Sequence, residues 1–171
     1  MDYYIRHADS KDAKLIADLS HQTFYEAFAA QNTKENMEKF LNQQFTKGKL
    51  ILEVGAPGND FLLAYDGQKV AGYAKIREQT APKSLGITNA IEIARLYVIE
   101  EMIGKGLGKL LMQTIIDIAR QKDIPVVWLA VWEKNQRAID FYKKWGFEKF
   151  DDTLFVLGDD IQQDWLMKKT V

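Results

Sequence analysis

The spacing of apolar residues changes several times along this chain, and each change predicts a new helix or strand. The pattern over residues 3–7 predicts a first strand. Asp9 or Ser10 is then placed to cap a helix whose apolar residues recur at helical spacing and which is expected to end near Phe24. The chain therefore begins with a strand followed by a helix.

Further helices are predicted in the rest of the N-terminal third. Thr33 or Asn32 can cap a second helix. A short third helical piece is expected to be interrupted by Gly48 and closed by Pro57. Helices thus crowd this part of the sequence.

From residue 61 the apolar period shortens to that of strands. Strands predicted over residues 61–65 and 70–76 flank Asp66 and Gly67, which is a strong signal for a short hairpin. A polar loop over residues 78–89 leads to another predicted strand over residues 91–98. The middle of the chain therefore supplies strands of a sheet.

The C-terminal half predicts a helix, a strand, a second helix and two closing strands. In the first helix one face is continuously apolar apart from a threonine: Leu107, Leu110, Leu111, Thr114, Ile115 and Ile118. A buried strand follows over residues 126–131, and a helix over residues 135–145 ends at Gly146. Closing strands are predicted over residues 150–157 and 164–168. This order is typical of a mixed α/β fold, and the length favours one domain over residues 1–171.

Composition narrows the range of functions. Hydrophobic residues make up 47% of the chain and charged residues 27%, as in an ordinary soluble protein. The net charge of -1 gives no general attraction for nucleic acid. The longest apolar run, residues 126–132, is far below the roughly 20 residues of a membrane helix. Neither nucleic-acid binding nor membrane insertion is expected. The expected location is the cytoplasm.

Metal and thiol chemistry are also disfavoured. The chain has no cysteine, which excludes disulfides, thiol nucleophiles and thiolate metal sites. His7 and His21 are its two histidines, too few for a familiar metal cluster. No metal cofactor is expected.

The most informative local feature is a set of glycines between a predicted strand and a predicted helix: Gly104, Gly106 and Gly108. Backbone amides in that place can point outward together at the positive end of the helix, as in a pyrophosphate site. A P-loop would need glycine and a hydroxyl residue where the chain has Ile103 and Leu110, and the dinucleotide fingerprint would need its third glycine at Lys109. The loop therefore belongs to neither of those classes.

Two linked segments resemble motifs of the GNAT acetyltransferases. The segment that resembles motif A comprises Leu96, Tyr97 and Val98, then residues 103–108, then Leu110 and Leu111. The segment that resembles motif B comprises Asn135, Ala138, Phe141, Tyr142, Gly146 and Phe147. The resemblance implies a single GNAT domain, in which helices flank a mixed, mostly antiparallel central sheet.

The resemblance further implies that acetyl-CoA is the co-substrate, bound at a strand-loop-helix site. The residues implied in its binding are Leu96, Tyr97, Val98, Ile103, Gly104, Lys105, Gly106, Leu107, Gly108, Lys109, Asn135 and Tyr142. Ile103 departs from the family, which prefers Arg or Gln there. Since loop amides do most of the binding in similar enzymes, this change affects one side-chain contact rather than the site. Lys105 and Lys109 can supply charge instead, or simply be solvated.

Tyr142 occupies the position of the tyrosine that protonates the CoA thiolate in the family, the alternative being that it packs beside Phe141. A free backbone amide near Val98 would stabilise the oxyanion, at a bulge where this strand parts from the next. Asn135 would bond the pantetheine arm, cap its own helix, or do both.

Glu92 is the predicted base, because it lies six residues before Val98, where histone-type GNAT enzymes carry their catalytic glutamate. A free glutamate is a poor match for a substrate ammonium unless burial raises its pKa or water relays the proton. The alternative is a structural pair with Arg95 or Lys75. Both interpretations stay open.

The acceptor is the least defined part of the prediction. Residues 23–28, 70–75, 128–135 and 155–167 resemble the bacterial Pai-type spermidine and spermine acetyltransferases, which implies a polyamine acceptor. Five nearby aspartates would offer an anionic surface for a polycation or merely form turns: Asp151, Asp152, Asp159, Asp160 and Asp164. Acetylation of a peptide α-amine or a protein lysine, and a noncatalytic acyl-CoA-binding module, are the alternatives. Whether the protein forms a homodimer is also left open by the sequence.

Overall fold

A seven-stranded sheet forms the centre of the computed structural model, which describes all residues 1–171. The strands are β1 (Tyr3–His7), β2 (Asn59–Asp66), β3 (Lys69–Glu78), β4 (Ala90–Val98), β5 (Val126–Trp132), β6 (Glu148–Leu157) and β7 (Asp160–Thr170). Their order across the sheet is β1-β2-β3-β4-β5-β7-β6, and every neighbouring pair is antiparallel except β4 and β5. The predicted mixed, mostly antiparallel α/β fold is confirmed.

Five α-helices accompany the sheet. They are α1 (Ala13–Phe28), α2 (Lys34–Lys39), α3 (Lys47–Glu53), α4 (Leu107–Gln121) and α5 (Gln136–Lys144). A turn of π-helical geometry, Phe40–Gln44, continues α2. None of these helices combines the length and the apolar character that a membrane span requires.

A polar side chain caps α2 as predicted, whereas Asp9 caps the single 3-10 turn Ser10–Asp12 that leads into α1, and α1 itself has no side-chain cap. Asp9 accepts a hydrogen bond from the Lys11 amide, and the Asp12 carboxylate accepts one from the Asp9 amide. The Thr33 hydroxyl accepts from the Asn36 amide at 3.1 Å. Each such cap stabilises a helix start by about 1 kcal/mol, because it satisfies an amide that has no partner within the helix.

Several boundaries differ from the prediction. The first helix continues past Phe24 to Phe28, because both rings pack together with centroids 4.5 Å apart. Gly48 lies inside the first turn of α3 and does not interrupt it. The last strand begins at Asp160 rather than at residue 164, because a tight turn after β6 lets the hairpin pair almost from its tip.

Helix α4 packs its apolar face onto the sheet, although that face is rotated from the predicted one. The side chains that are buried are Leu107, Leu111, Met112, Ile115, Ile116 and Ala119. Leu110 and Ile118 are only partly covered, since they lie at the border of the stripe. The helix therefore anchors the glycine loop that precedes it to the main core.

The sheet divides at its centre, where β4 and β5 part. Their parallel pairing runs only from Ala90–Val126 to Ile93–Leu129. A bulge at Ala94 shifts the register of β4 against β3 just beyond that point. The C-terminal halves of the two strands are therefore separated by a gap, as the resemblance implied.

Candidate active site

The glycine loop delivers unpaired amides to the start of α4. Gly104 and Gly106 have φ angles of 80° and 100°, a left-handed conformation that side chains with a Cβ adopt at a cost. Gly106 is the N-cap of α4, and no side chain caps the helix. The first amides of α4 thus keep their donors free, and the helix dipole makes this end attractive to an anion.

The gap between β4 and β5 exposes further amides. Ile99 donates to the Ala71 carbonyl, and Tyr97 lies directly opposite Tyr73, so these β4 residues use their backbone groups on the β3 side. Bonding directions alternate along an antiparallel strand, which turns the amides of Leu96 and Val98 toward the gap. Main-chain donors therefore line the gap as well as the glycine loop.

A single cavity of about 1050 Å³ runs from the glycine loop through the gap. At the loop end it is lined by most of the residues predicted to bind acetyl-CoA: Leu96, Tyr97, Val98, Ile103, Gly104, Lys105, Gly106, Gly108, Lys109, Asn135 and Tyr142. Leu107, also predicted, is fully buried beneath the loop and does not line the cavity. Arg137, which the sequence reasoning missed, lines it from the first turn of α5.

Asn135 and Tyr142 are both positioned by α5. The Asn135 side chain accepts from the Ala138 amide at 3.3 Å, so it caps the helix while facing the cavity. Tyr142 is buried, with its ring against Phe141 and Phe147. Burial raises the pKa of Tyr142 to about 12, so its hydroxyl keeps its proton at neutral pH.

The other end of the cavity is an aromatic pocket, here named the acceptor chamber. Its aromatic walls come from α1, the π-helical turn and its end, β5 and β6: Phe24, Phe28, Phe40, Phe45, Trp132 and Phe155. Their rings touch one another in series, with centroids between 4.5 and 5.9 Å apart. Charged side chains that line it include Asp164 on β7 and Arg95 on β4, and Glu26 on α1 also lines the cavity.

Asp164 is the acidic side chain that β7 brings into the chamber. Burial, together with the nearby charge of Glu133, raises the pKa of Asp164 from its ordinary 3.8 to about 6. Burial, and after it the neighbouring groups Tyr73, Tyr142 and Asp164, also raise the pKa of Tyr97. The sequence grouped Asp164 with four other aspartates, and no local signal separates it from Asp151 and Asp152, which also lie in a strand.

Glu92 is not among the residues that line the cavity. Its carboxylate accepts two hydrogen bonds from the Arg77 guanidinium, both at 2.9 Å, and one from the Thr80 hydroxyl at 2.9 Å. The expected partners Arg95 and Lys75 instead contact Glu53. This differs from the predicted pairing because Arg77, not Lys75, is opposite Glu92 in the β3–β4 register.

The remaining predicted groups lie away from the chamber. Asp152 pairs with Lys149 and Asp159 with Lys39, while Asp151 and Asp160 do not line the cavity. His7 pairs with Asp60 at 3.3 Å, and His21 contacts the carbonyl of Phe45. No three His, Asp or Glu side chains are grouped in a way that suits a metal ion.

Comparison with known proteins agrees with this geometry. The profile of the Acetyltransferase (GNAT) family matches residues 16–147. An uncharacterised N-acetyltransferase in the pepI 3' region of Lactobacillus delbrueckii subsp. lactis is 38% identical over 162 residues, 94% of this chain and 93% of that protein. The spermidine N(1)-acetyltransferase of Thermoplasma acidophilum is 26% identical over 157 residues, 90% of this chain and 92% of that one.

The fold has close structural relatives too. The crystal structure of the PaiA N-acetyltransferase from Thermoplasma acidophilum in complex with coenzyme A has a TM-score of 0.80, with 100% of both chains covered at 24% identity. At that identity the likeness is one of fold. The family profile, which spans most of the chain, assigns the protein to the GNAT family as an acetyl-CoA-dependent N-acetyltransferase.

Proposed function

We propose that this chain transfers the acetyl group of acetyl-CoA to a primary amine that is held in the acceptor chamber. The observation that carries the proposal is the single cavity that joins the glycine loop, the gap and Tyr142 to the chamber that contains Asp164. A proton donor and a proton acceptor thus lie in the same cavity as an anion site. That combination suits transfer of an acyl group from a thioester to an amine.

The residues at the loop end fit acetyl-CoA. Amides of residues 103–109 would hold the pyrophosphate at the start of α4, and Lys105, Lys109 and Arg137 lie around the same opening. Amides of Leu96 and Val98 would bond the amide-bearing arm that lies in the gap. Acetyl-CoA supplies the acetyl group in activated form, as a thioester.

Asp164 would anchor the acceptor and take its proton. At neutral pH its carboxylate is ionised, so it attracts an ammonium group into the chamber. An amine reacts only after losing a proton, and a base with a pKa of about 6 is better matched to that task than a free aspartate. We assign this role to Asp164 rather than to Glu92, whose oxygens are taken by Arg77 and Thr80.

Val98 and Tyr142 would complete the transfer. The Val98 amide points into the gap, where it can donate to the thioester oxygen as negative charge develops there. The Tyr142 hydroxyl can donate its proton to the departing sulfur, because burial keeps it protonated over the working range of pH. These roles remain predictions for this chain.

The test is thiol release from acetyl-CoA, measured with a panel of small amines, peptides and a lysine-bearing protein. We expect release with at least one small amine and its loss in Asp164→Asn. Tight CoA binding without thiol release from any acceptor would favour the noncatalytic acyl-CoA-binding module instead.

Spermidine belongs in that panel, because polyamine acetylation is the specific activity predicted from sequence. Its support is the 26% identity to the Thermoplasma spermidine acetyltransferase and the presence of Asp164 in the chamber. The broader anionic surface gives it little support, since Asp152 and Asp159 are paired with lysines. A peptide α-amine or a protein lysine would have to reach the same carboxylate.

A further inference from the structure

Beneath the acceptor chamber, Arg95 and Lys75 share a single carboxylate, that of Glu53. Arg95 donates two hydrogen bonds to the Glu53 carboxylate, at 2.8 and 2.9 Å. The Lys75 ammonium lies 3.2 Å from the same carboxylate, and only 5% of its side chain is exposed. Two cations therefore share one carboxylate in a place that solvent scarcely reaches.

The sheet register explains why these groups meet. Lys75 and Arg95 are directly opposite each other on β3 and β4, so their side chains leave the same face of the sheet. Tyr73 and Tyr97 form the next pair on that face. Glu53, at the end of α3, covers this face and meets both cations.

The pKa shifts within this cluster reflect the presence of two basic groups around one carboxylate. Burial alone would raise the pKa of Glu53, but the hydrogen bond from Arg95 and the nearby positive charges lower it overall. This carboxylate is therefore charged at neutral pH. Burial and the charge of Arg95 lower the pKa of Lys75. The buried Tyr73 hydroxyl also lacks a hydrogen-bond partner. Two cations therefore face one charged carboxylate in this cluster.

Arg95 is the member of this cluster that lines the cavity. Its guanidinium lies over the Phe45 ring, 4.8 Å from the centroid, and only 15% of the side chain is exposed. A guanidinium has five N–H donors, and Glu53 uses two of them. The donors that Glu53 leaves free belong to a side chain that lines the chamber.

We propose that the acceptor is a small zwitterion, whose amine lies at Asp164 and whose anionic group, of the carboxylate type, binds Arg95. An apolar segment between the two charges would lie against the aromatic walls of the chamber. A second ammonium in place of the anion would meet Arg95, with Lys75 behind it, so a polyamine is disfavoured. This inference rests on the proposed function, because it specifies the amine that is acetylated.

The test compares acceptors that differ only at the end remote from the amine. A series of ω-amino acids from β-alanine to ε-aminocaproate is assayed for thiol release, each beside the alkylamine and the diamine of the same chain length. At the best length we expect kcat/KM to favour the ω-amino acid over the alkylamine by roughly tenfold or more, as a charge-assisted hydrogen bond allows. The diamine should be the poorest of the three.

Two arginine variants locate the effect. In Arg95→Met, kcat/KM for the ω-amino acid should fall to about the value for the alkylamine of the same length, so that the preference disappears. Arg77→Met is the matched control, because Arg77 also binds a carboxylate on the same sheet face but lies outside the cavity. It should keep the preference of the parent, and the ratio within each variant cancels any general loss of folded protein.

The outcomes separate this inference from the proposed function. If the parent favours no ω-amino acid at any length, or prefers diamines, the zwitterion inference is wrong while amine acetylation stands. A preference that survives in Arg95→Met also overturns it. If no amine of any kind releases thiol, the proposed function fails and the inference fails with it.

Discussion

Replacing Asp164 by asparagine should make the protein more stable and less active at once, because the same carboxylate is costly to bury and needed by the amine. The pKa of Asp164 is raised from 3.8 to about 6. Each pKa unit corresponds to about 1.4 kcal/mol between the two protonation states, so the full penalty for the charged form is about 3 kcal/mol. Asp164 is partly exposed, and solvent should reduce the observed gain to about 1–2 kcal/mol.

The sign follows from proton linkage. Because the folded-state pKa is the higher one, the folded protein binds the Asp164 proton more tightly than the unfolded chain does. Stability therefore falls as pH rises from 3.8 to about 6, and the penalty is complete above that range. Asparagine carries no such penalty, so its advantage should be present at pH 8 and absent below about pH 4.

Thermal unfolding of both proteins across that pH range is the assay. At pH 8 the variant should unfold roughly 2–8 °C higher than the parent, given about 2–4 °C per kcal/mol for a chain of this size. Its kcat/KM should fall by roughly 10²-fold or more, since the amine loses its proton acceptor. A variant of unchanged stability at pH 8, or a stabilised variant with full activity, would refute the reasoning.

Three further substitutions test the other assignments. Gly106→Val should abolish CoA binding in calorimetry, because valine does not easily adopt a φ of 100°, whereas Gly55→Val, at a φ of 83° and outside the cavity, should retain it. Tyr142→Phe should keep CoA affinity and lower kcat by roughly 10²–10⁴-fold. An unchanged kcat, with chemistry rate-limiting, would leave Tyr142 as a packing residue. Glu92→Gln should lower stability by about 1–3 kcal/mol with kcat retained, because it weakens the bonds to Arg77. A large loss of kcat at unchanged stability would instead support the catalytic role predicted for Glu92.

Local patterns predicted much of the fold because the interactions concerned are local. The hairpin around Gly67 and the helix capped by Asn135 depend on neighbours close in sequence. The rotated face of α4 was harder to predict, since Leu110 and Met112 are similarly apolar and only the neighbouring sheet decides which is buried.

The position of each site residue depended on interactions between distant segments. The bulge at Ala94 puts Glu92 and Arg95 on the same face although they are three positions apart, and no sequence pattern marks that bulge. Asp164 reaches the chamber because β7 lies beside β5, between it and β6. That strand order joins residues that local spacing does not connect.

The parted strands at the centre of the sheet also bear on how such a protein can change over time. Donors in the gap and the glycine loop belong to the main chain, so a side chain can be exchanged beside them without removing them. Ile103, where similar enzymes carry Arg or Gln, is an example of such tolerance. The chamber differs, because Asp164 and Arg95 act through their side chains. Mutational drift should therefore alter the choice of acceptor long before it alters the choice of acyl donor.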